Sequence, residues 1–351
     1  MARRMDLDIL KGYGMLNVVL VHMHFADATL NRYAAALLPA FFVVTGILYK
    51  SGRTPKELFL RRLPVLMVPY FVFGILYLAV ATIIALPDTA ILIKGLKSLL
   101  IFPTRGPVGE STLWFLPVML LSSVMYCALD NVCKTEKSLT VASLAVGLVA
   151  IVFCYVTRLE VPWGIAHSMT FVMFLHLGVL LERHSVLERI EATIQSHRVI
   201  GTIVMIVVPI VVVVVLLNFN GTVNMRKMLW GIVPVTFSCS VAGCVWMLLA
   251  ARWFDRLHGF RYLKSWLIGI GVTSVVYMCT NHPSINAGYA LMDLVPAGVP
   301  VLTLEPVRLV LVFIIAVTIM SVLAVLITRT KLIVVLGIKP SSMAKAPKHS
   351  K

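Results

Sequence analysis

Residues 7–25 read LDILKGYGMLNVVLVHMHF, an apolar run as long as a bilayer crossing that nonetheless holds Lys11 and His22. About 20 residues at ~1.5 Å per residue span the hydrocarbon. Ionisable groups in such a helix cost free energy, so they turn toward a protein interior or a water-filled cavity and mark a function. Eleven positions at ~100° each leave Lys11 and His22 about 20° apart around the axis and roughly 16 Å apart along it. A cation and a titratable imidazole therefore share one stripe. Arg3 and Arg4 before the run and Ala26-Asp27-Ala28 after it resemble a cleavable signal peptide. The lysine and histidine inside the apolar stretch argue instead for an uncleaved first span.

The rest of the chain repeats the apolar theme. Of 351 residues, 60% are hydrophobic and 13% charged, with mean hydropathy +0.95. Soluble domains carry roughly a quarter charged residues. Runs that could cross a membrane fall at 7–25, 34–49, 63–86, 113–129, 139–156, 164–181, 199–218, 228–250, 266–281 and 307–327. The expected fold is thus an all-α integral membrane protein of about ten transmembrane helices, with both termini on one side. Of 31 lysines and arginines, 22 lie on that side, which makes the termini cytoplasmic. This asymmetry explains the net charge of +16 without nucleic acid. Residues 1–330 form one transmembrane domain, and the basic tail 331–351 is expected to be disordered or to lie on anionic lipid. Two Pro- and Gly-containing connections, 87–112 and 282–306, are expected to dip back and line a cavity. The six cysteines sit in or beside apolar runs without CxxC spacing, so neither a disulfide framework nor a metal site is expected.

Several residues stand out as carriers of chemistry. His22 lies toward the outer half of span one, where an imidazole can take a proton from a hydroxyl or carry an acyl group. A core histidine bonded to a backbone carbonyl is the plainer reading. Span nine ends TSVVYMCTNHPSIN, placing Asn281 and His282 at the depth of His22; Pro283 and Asn281 read equally as a helix stop and its cap. Lys11 could neutralise an anionic substrate, with Asp8 as its natural partner one turn earlier. Arg61 and Arg62, before Leu63-Pro64, form the densest basic cluster, suited to phosphates or simply to the inner surface. Trp114 opens span four as an interfacial or sugar-stacking ring, with Glu110 four residues before it as a base or hydroxyl anchor. Asn220-Gly-Thr222 matches a glycosylation acceptor. His24, His167 and His176 face elsewhere and read as structural.

These residues resemble the acyltransferase 3 family of integral membrane O-acyltransferases, most closely its fucose 4-O-acetylase-like branch. DILKGYGMLNVVLVH is similar to the family's first helix, with its basic residue, ten intervening positions and histidine falling on Lys11 and His22. The usual basic residue there is arginine, so Lys11 keeps the charge and loses the fork. LLPAFFVVTGILY (37–49), RRLPVLMVPY (61–70), LWFLPVML (113–120) and IGIGVTSVVYMCTNHP (268–283) resemble further family segments, although Val65 stands where many members have a second arginine. The resemblance implies an enzyme that moves an acyl group, usually acetyl, from cytoplasmic acetyl-CoA to a hydroxyl of an envelope or exported glycan. It places the chain in a bacterial inner membrane. His22, Lys11 and His282 would be catalytic. Lys11, Arg61 and Arg62 would hold the acyl-CoA, which is a substrate, with no bound cofactor or metal. Trp114, Asn281 and Glu110 would meet the glycan. A polytopic transporter or flippase for a glycan or lipid-linked sugar is the rival reading.

Overall fold

The structure, a computed structural model, describes residues 3–23, 37–86, 90–106, 112–294 and 304–338. In chain order its helices are α1 (Met5–His22), α2 (Ala40–Ile47), α3 (Pro55–Ile84), α4 (Ala90–Leu100), α5 (Phe115–Val132), α6 (Glu136–Thr157) and α7 (Ile165–Arg183). They continue as α8 (Val186–Ser196), α9 (Arg198–Asn218), α10 (Val233–Arg256), α11 (Arg261–Val272), α12 (Ser274–Asp293) and α13 (Glu305–Arg329). One antiparallel pair, β1 (Val223–Asn224) with β2 (Leu229–Trp230), joins α9 to α10. The protein is all-α, because in hydrocarbon every backbone polar group must be satisfied within its own segment. That constraint overrides local preference in α9, whose VVPIVVVVVLL would favour a strand in water.

Among the described residues, α3, α6, α10, α13 and the helical stretches Thr112–Val132 and Pro162–Arg183 are long and apolar enough to cross a membrane. The pair α11 and α12 makes a seventh if counted as one span. The other predicted spans fall short for different reasons. α1 carries Asp6, Asp8 and Lys11, α2 is eight residues long, and the apolar part of α9 runs only from Gly201 to Leu216. The ninth predicted span is broken at Thr273.

The helices form two compact units. The first comprises the described residues of Met1–Pro55, Leu121–Val161 and Ile165–Ser274. In it α1 packs on α11 backbone to backbone: a Cβ at Gly12 would collide with the Leu267 carbonyl, and one at Gly271 with the Asp8 carbonyl. α2 packs on α7 in the same way, Gly46 against the Leu175 carbonyl and Gly178 against that of Val43. Phe42 and Phe171 stack beside this contact at 4.1 Å. Small residues are what let membrane helices approach so closely. Tyr126, Leu139, Val172, Leu175 and Val179 fill the core between α5, α6 and α7.

The second unit comprises the described residues of Lys56–Leu120, Pro162–Gly164 and Val275–Lys351. α3 begins at Pro55, eight residues before the predicted span, and runs through Pro64 and Pro69. The connection expected to be loop at 87–112 instead holds α4, whose Gly95, Ser98 and Leu99 are buried, and Tyr70 of α3 donates to the Leu99 carbonyl at 2.7 Å. Most of 282–306 up to Asp293 is likewise helix. Pro283 does not stop α12, because the Cys279 carbonyl that loses its helical donor receives the Tyr77 hydroxyl from α3. The Thr112 hydroxyl donates to the neighbouring Met278 carbonyl. After α13, Lys331–Leu336 forms a 3-10 helix with Ile333 and Leu336 buried; residues 339–351 lie outside the described ones.

The glycine contacts predict that Gly46→Ala and Gly178→Ala will each lower unfolding stability by about 2 kcal/mol through overpacking. Gly269→Ala, where nothing stands within 4 Å of the added carbon, should be neutral or stabilising. Thermal unfolding of the purified variants in one detergent measures both.

Candidate functional site

In the first unit, α1 starts inside a network of ion pairs. Asp8 gives one oxygen to Arg3 Nε and the other to Lys11 Nζ, each at 2.7 Å. Asp6 receives both Nε and Nη2 of Arg4, at 3.1 and 3.0 Å, and Nε of Arg252 at 3.4 Å. Arg252, on the last turns of α10 and 7% exposed, also reaches Glu188 at 2.8 Å and Glu191 at 3.7 Å on α8. Arg256 pairs with Glu191 at 2.7 Å, and Arg4 with Glu182 at 3.3 Å. Arg3 and Lys11 share Asp8 in one group, and Arg4, Arg252 and Arg256 meet Asp6, Glu182, Glu188 and Glu191 in a second, so among the described residues of these groups each charge faces an opposite one. Hydrogen bonding and charge from Asp6 hold the Arg4 guanidinium firmly protonated against the opposing effect of burial. Burial pushes the Glu188 carboxyl up, but its own backbone N–H and the Arg252 guanidinium outweigh this and leave it below the usual range.

His22 closes α1. Its Nδ1 lies 2.7 Å from the Val18 carbonyl oxygen, four residues back. A carbonyl can only accept, so Nδ1 carries the proton and Nε2 the lone pair in the neutral ring. The carbonyl contact belonging to the plain reading thereby also fixes the tautomer a general base requires. Two other histidines of this unit tie segments together. His176 on α7 lies 3.1 Å from the Tyr126 hydroxyl and 2.9 Å from that of Thr140, joining α5, α6 and α7, while His167 bonds the Arg226 carbonyl at 2.9 Å. Asn220 is buried, its amide donating to Thr236 and accepting from the backbone of Gly221 and Ile232, so it holds the β-turn and is not placed to carry a glycan.

The second unit holds the other candidates. Arg61 and Arg62 lie within α3, not ahead of it, Arg61 exposed and Arg62 partly buried. Trp114, in the 3-10 turn Thr112–Trp114, is 6% exposed and stands edge-on to Phe115, so it is an interior ring and not a belt residue. Asn281 and His282 lie mid-helix on α12, Asn281 fully buried and His282 partly. Glu110 lies outside the described residues. The structure thus keeps Lys11 and His22 on one helix face in one unit, and sets Arg61, Arg62, Trp114, Asn281 and His282 in the other. Sequence reasoning missed Asp6, Arg252, Glu188 and Glu191; the signal available was Asp6 at the start of the apolar run of α1 and Arg252 near the end of that of α10. Among the described residues no cluster of histidine, cysteine or carboxylate side chains could hold a metal ion.

A family model described as an acyltransferase domain matches residues 5–329. The chain belongs to the acyltransferase 3 family. No curated protein and no solved structure matches it. This multi-pass membrane acyltransferase therefore transfers an acyl group from a donor to an acceptor, and the match covers both units, from the ion-pair network at the start of α1 to the end of α13.

Removing one partner from a buried ion pair strands the others. Arg252→Leu in the acyltransferase is therefore predicted to cost about 3 kcal/mol of stability, whereas Arg3→Ala, whose side chain is 58% exposed, should cost under ~1 kcal/mol. Parallel thermal melts of the two variants check the contrast.

Proposed function

We propose that this acyltransferase moves an acyl group, acetyl first among them, from cytoplasmic acyl-CoA to a hydroxyl of an envelope or exported glycan in a bacterial inner membrane. The observation that carries the reading is the fixed tautomer of His22 inside a family-matched first helix. Nε2 of His22 takes the proton of the acceptor hydroxyl as its oxygen attacks the thioester carbonyl. The tetrahedral adduct collapses with loss of CoA thiolate, which recovers a proton from the imidazolium and leaves as CoA thiol. In a two-step variant, Nε2 attacks the thioester carbonyl and expels CoA thiolate, and the acceptor hydroxyl then displaces the acyl group from the ring, its proton passing to the thiolate, which leaves as CoA thiol.

Arg61 and Arg62 hold the CoA phosphates, Arg61 being the exposed guanidinium of the pair. Lys11, already engaged by Asp8, adds a fixed positive charge on the stripe of His22 and a further contact for the anionic donor. Asn281, Trp114 and His282 shape the acceptor side, and Glu110 serves as a base or hydroxyl anchor for the glycan. The positive-inside distribution supports basic residues on the donor side, and the resemblance to fucose 4-O-acetylase-like proteins supports a glycan as acceptor.

His22→Ala should abolish transfer of label from acetyl-CoA to glycan while membrane abundance holds; transfer retained in that variant removes His22 from the mechanism. Arg61→Ala with Arg62→Ala should raise KM for acetyl-CoA at least tenfold with acceptor KM unchanged. Mass spectrometry of surface polysaccharide from cells with and without the protein should differ by one acyl group per modified residue.

A further inference from the structure

Asparagines on the helices of this protein ordinarily satisfy themselves. Asn17, Asn131 and Asn218 each donate to the carbonyl four residues back, at 2.8–2.9 Å. Thr280 does the same to Val276. Asn281, the next residue, does not. It is 0% exposed, and neither its amide nitrogen nor its amide oxygen has a hydrogen-bond partner. Ser284, one turn on and 1% exposed, has an unpartnered hydroxyl. Such burial costs free energy unless a partner arrives. Elsewhere among the described residues such atoms stand singly, as at Ser143, Trp230 and Arg308, whereas Asn281 and Ser284 bring theirs together within one turn.

Their position is defined by the contacts on either side. Tyr277, Asn281, Ser284 and Gly288 share one stripe of α12, within about 60° at ~100° per residue. At one end of it the Tyr277 hydroxyl donates to Ser321 of α13 at 2.6 Å, because Ser321 spends its own proton on Val317. At the other end Gly288 brings its backbone against Val312 of α13. Asn281 and Ser284 lie between these contacts, toward α13. Pro283, between the two, removes the N–H that would close on Cys279, and the Tyr77 hydroxyl takes its place. The helix is thus held at this level by a neighbour's side chain and not by its own ladder.

We propose that Asn281 and Ser284 form a seat for one neutral hydroxyl group of the acceptor, a reading that rests on the acyl transfer to a hydroxyl set out above. The amide offers one donor edge and one acceptor edge, and the serine offers both on one atom. A sugar hydroxyl has one proton and two lone pairs, so it gives each of the three unpartnered atoms one bond, donating to the Asn281 oxygen and accepting from the Asn281 amide N–H and the Ser284 O–H. A carboxylate or phosphate does not, since neither residue brings a positive charge. Asn281 and Ser284 thereby determine acceptor specificity: an analogue lacking the hydroxyl leaves the pair buried and unsatisfied, the condition under which polar sites discriminate most strongly.

The test uses the full chain in nanodiscs, methyl α-L-fucopyranoside as the acceptor probe and labelled acetyl-CoA as donor, with equilibrium dialysis of the fucoside as a second readout. Ser284→Ala, nearly isosteric, and Asn281→Ala should each raise acceptor KM and weaken fucoside binding about tenfold, with donor KM unchanged and the unfolding temperature equal to or above that of the parent. Unchanged acceptor KM and binding in both variants overturn the seat, as does a parent protein that neither binds nor acylates the fucoside. Loss of donor and acceptor affinity together with a lowered unfolding temperature also overturns it, by making the pair structural. Fucoside binding that depends on both residues, without any transfer from acetyl-CoA, keeps the seat and refutes the proposed reaction.

Discussion

The arrangement of the first unit depends on the pairing of Asp6 and Asp8 with arginines and a lysine at the start of α1. Charges in an apolar bundle are tolerated only where they are met by opposite charges and hydrogen bonds. Here Asp6 ties α1 to Arg252 of α10, and Arg252 ties α10 to Glu188 and Glu191 of α8. This latch fixes how far α1 is inserted. The glycine contact of Gly12 and Gly271 then fixes its rotation against α11, since the two backbones leave no room for another face. Depth and rotation together decide where the Lys11 and His22 stripe points.

Much of this was legible in the chain. The 11-residue spacing of Lys11 and His22 is a property of helix geometry alone, and apolar runs identify most of the long helices. What was not legible depended on partners distant in sequence. Pro283 ends a helix by local rules, yet α12 continues because Tyr77, some two hundred residues earlier, supplies the missing donor. The span at 266–281 broke at Thr273, where apolar composition gives no signal of a bend. Trp114 carries an interfacial signature by type and position, but its ring is interior. Arg252 counted as one more basic residue at the inner surface, while in the fold it is the buried centre of a network.

The two units handle buried polarity in different ways. In the first, the ionic groups at the start of α1 are each paired with opposite charge, and His176 is bonded at both ring nitrogens. In the second, hydroxyls of Tyr77 and Thr112 are spent on α12 carbonyls, while the side chains of Asn281 and Ser284 on that same helix are left unsatisfied. Cross-helix donors thus stabilise the backbone around the very side chains that lack partners. A helix so braced can hold polar groups in readiness without unwinding around them, which is the preorganisation a binding site requires.

Lysine at position 11, where the resemblance to the family implies arginine, follows from the way Asp8 is shared. Arg3 takes one carboxylate oxygen and Lys11 the other, each at 2.7 Å. A guanidinium at position 11 would present a planar fork matched to both oxygens of one carboxylate, and so would compete with Arg3 for the second. An ammonium is a point charge that needs only one. The lysine therefore fits a site where the neighbouring carboxylate is already half committed, and it leaves Arg3 in place to cover Asp8 from the side away from His22. The positive charge on the histidine stripe is kept, its distance from His22 is set by the helix, and its side chain is anchored one turn below. The departure at position 11 and the presence of Arg3 are thus two parts of one electrostatic arrangement.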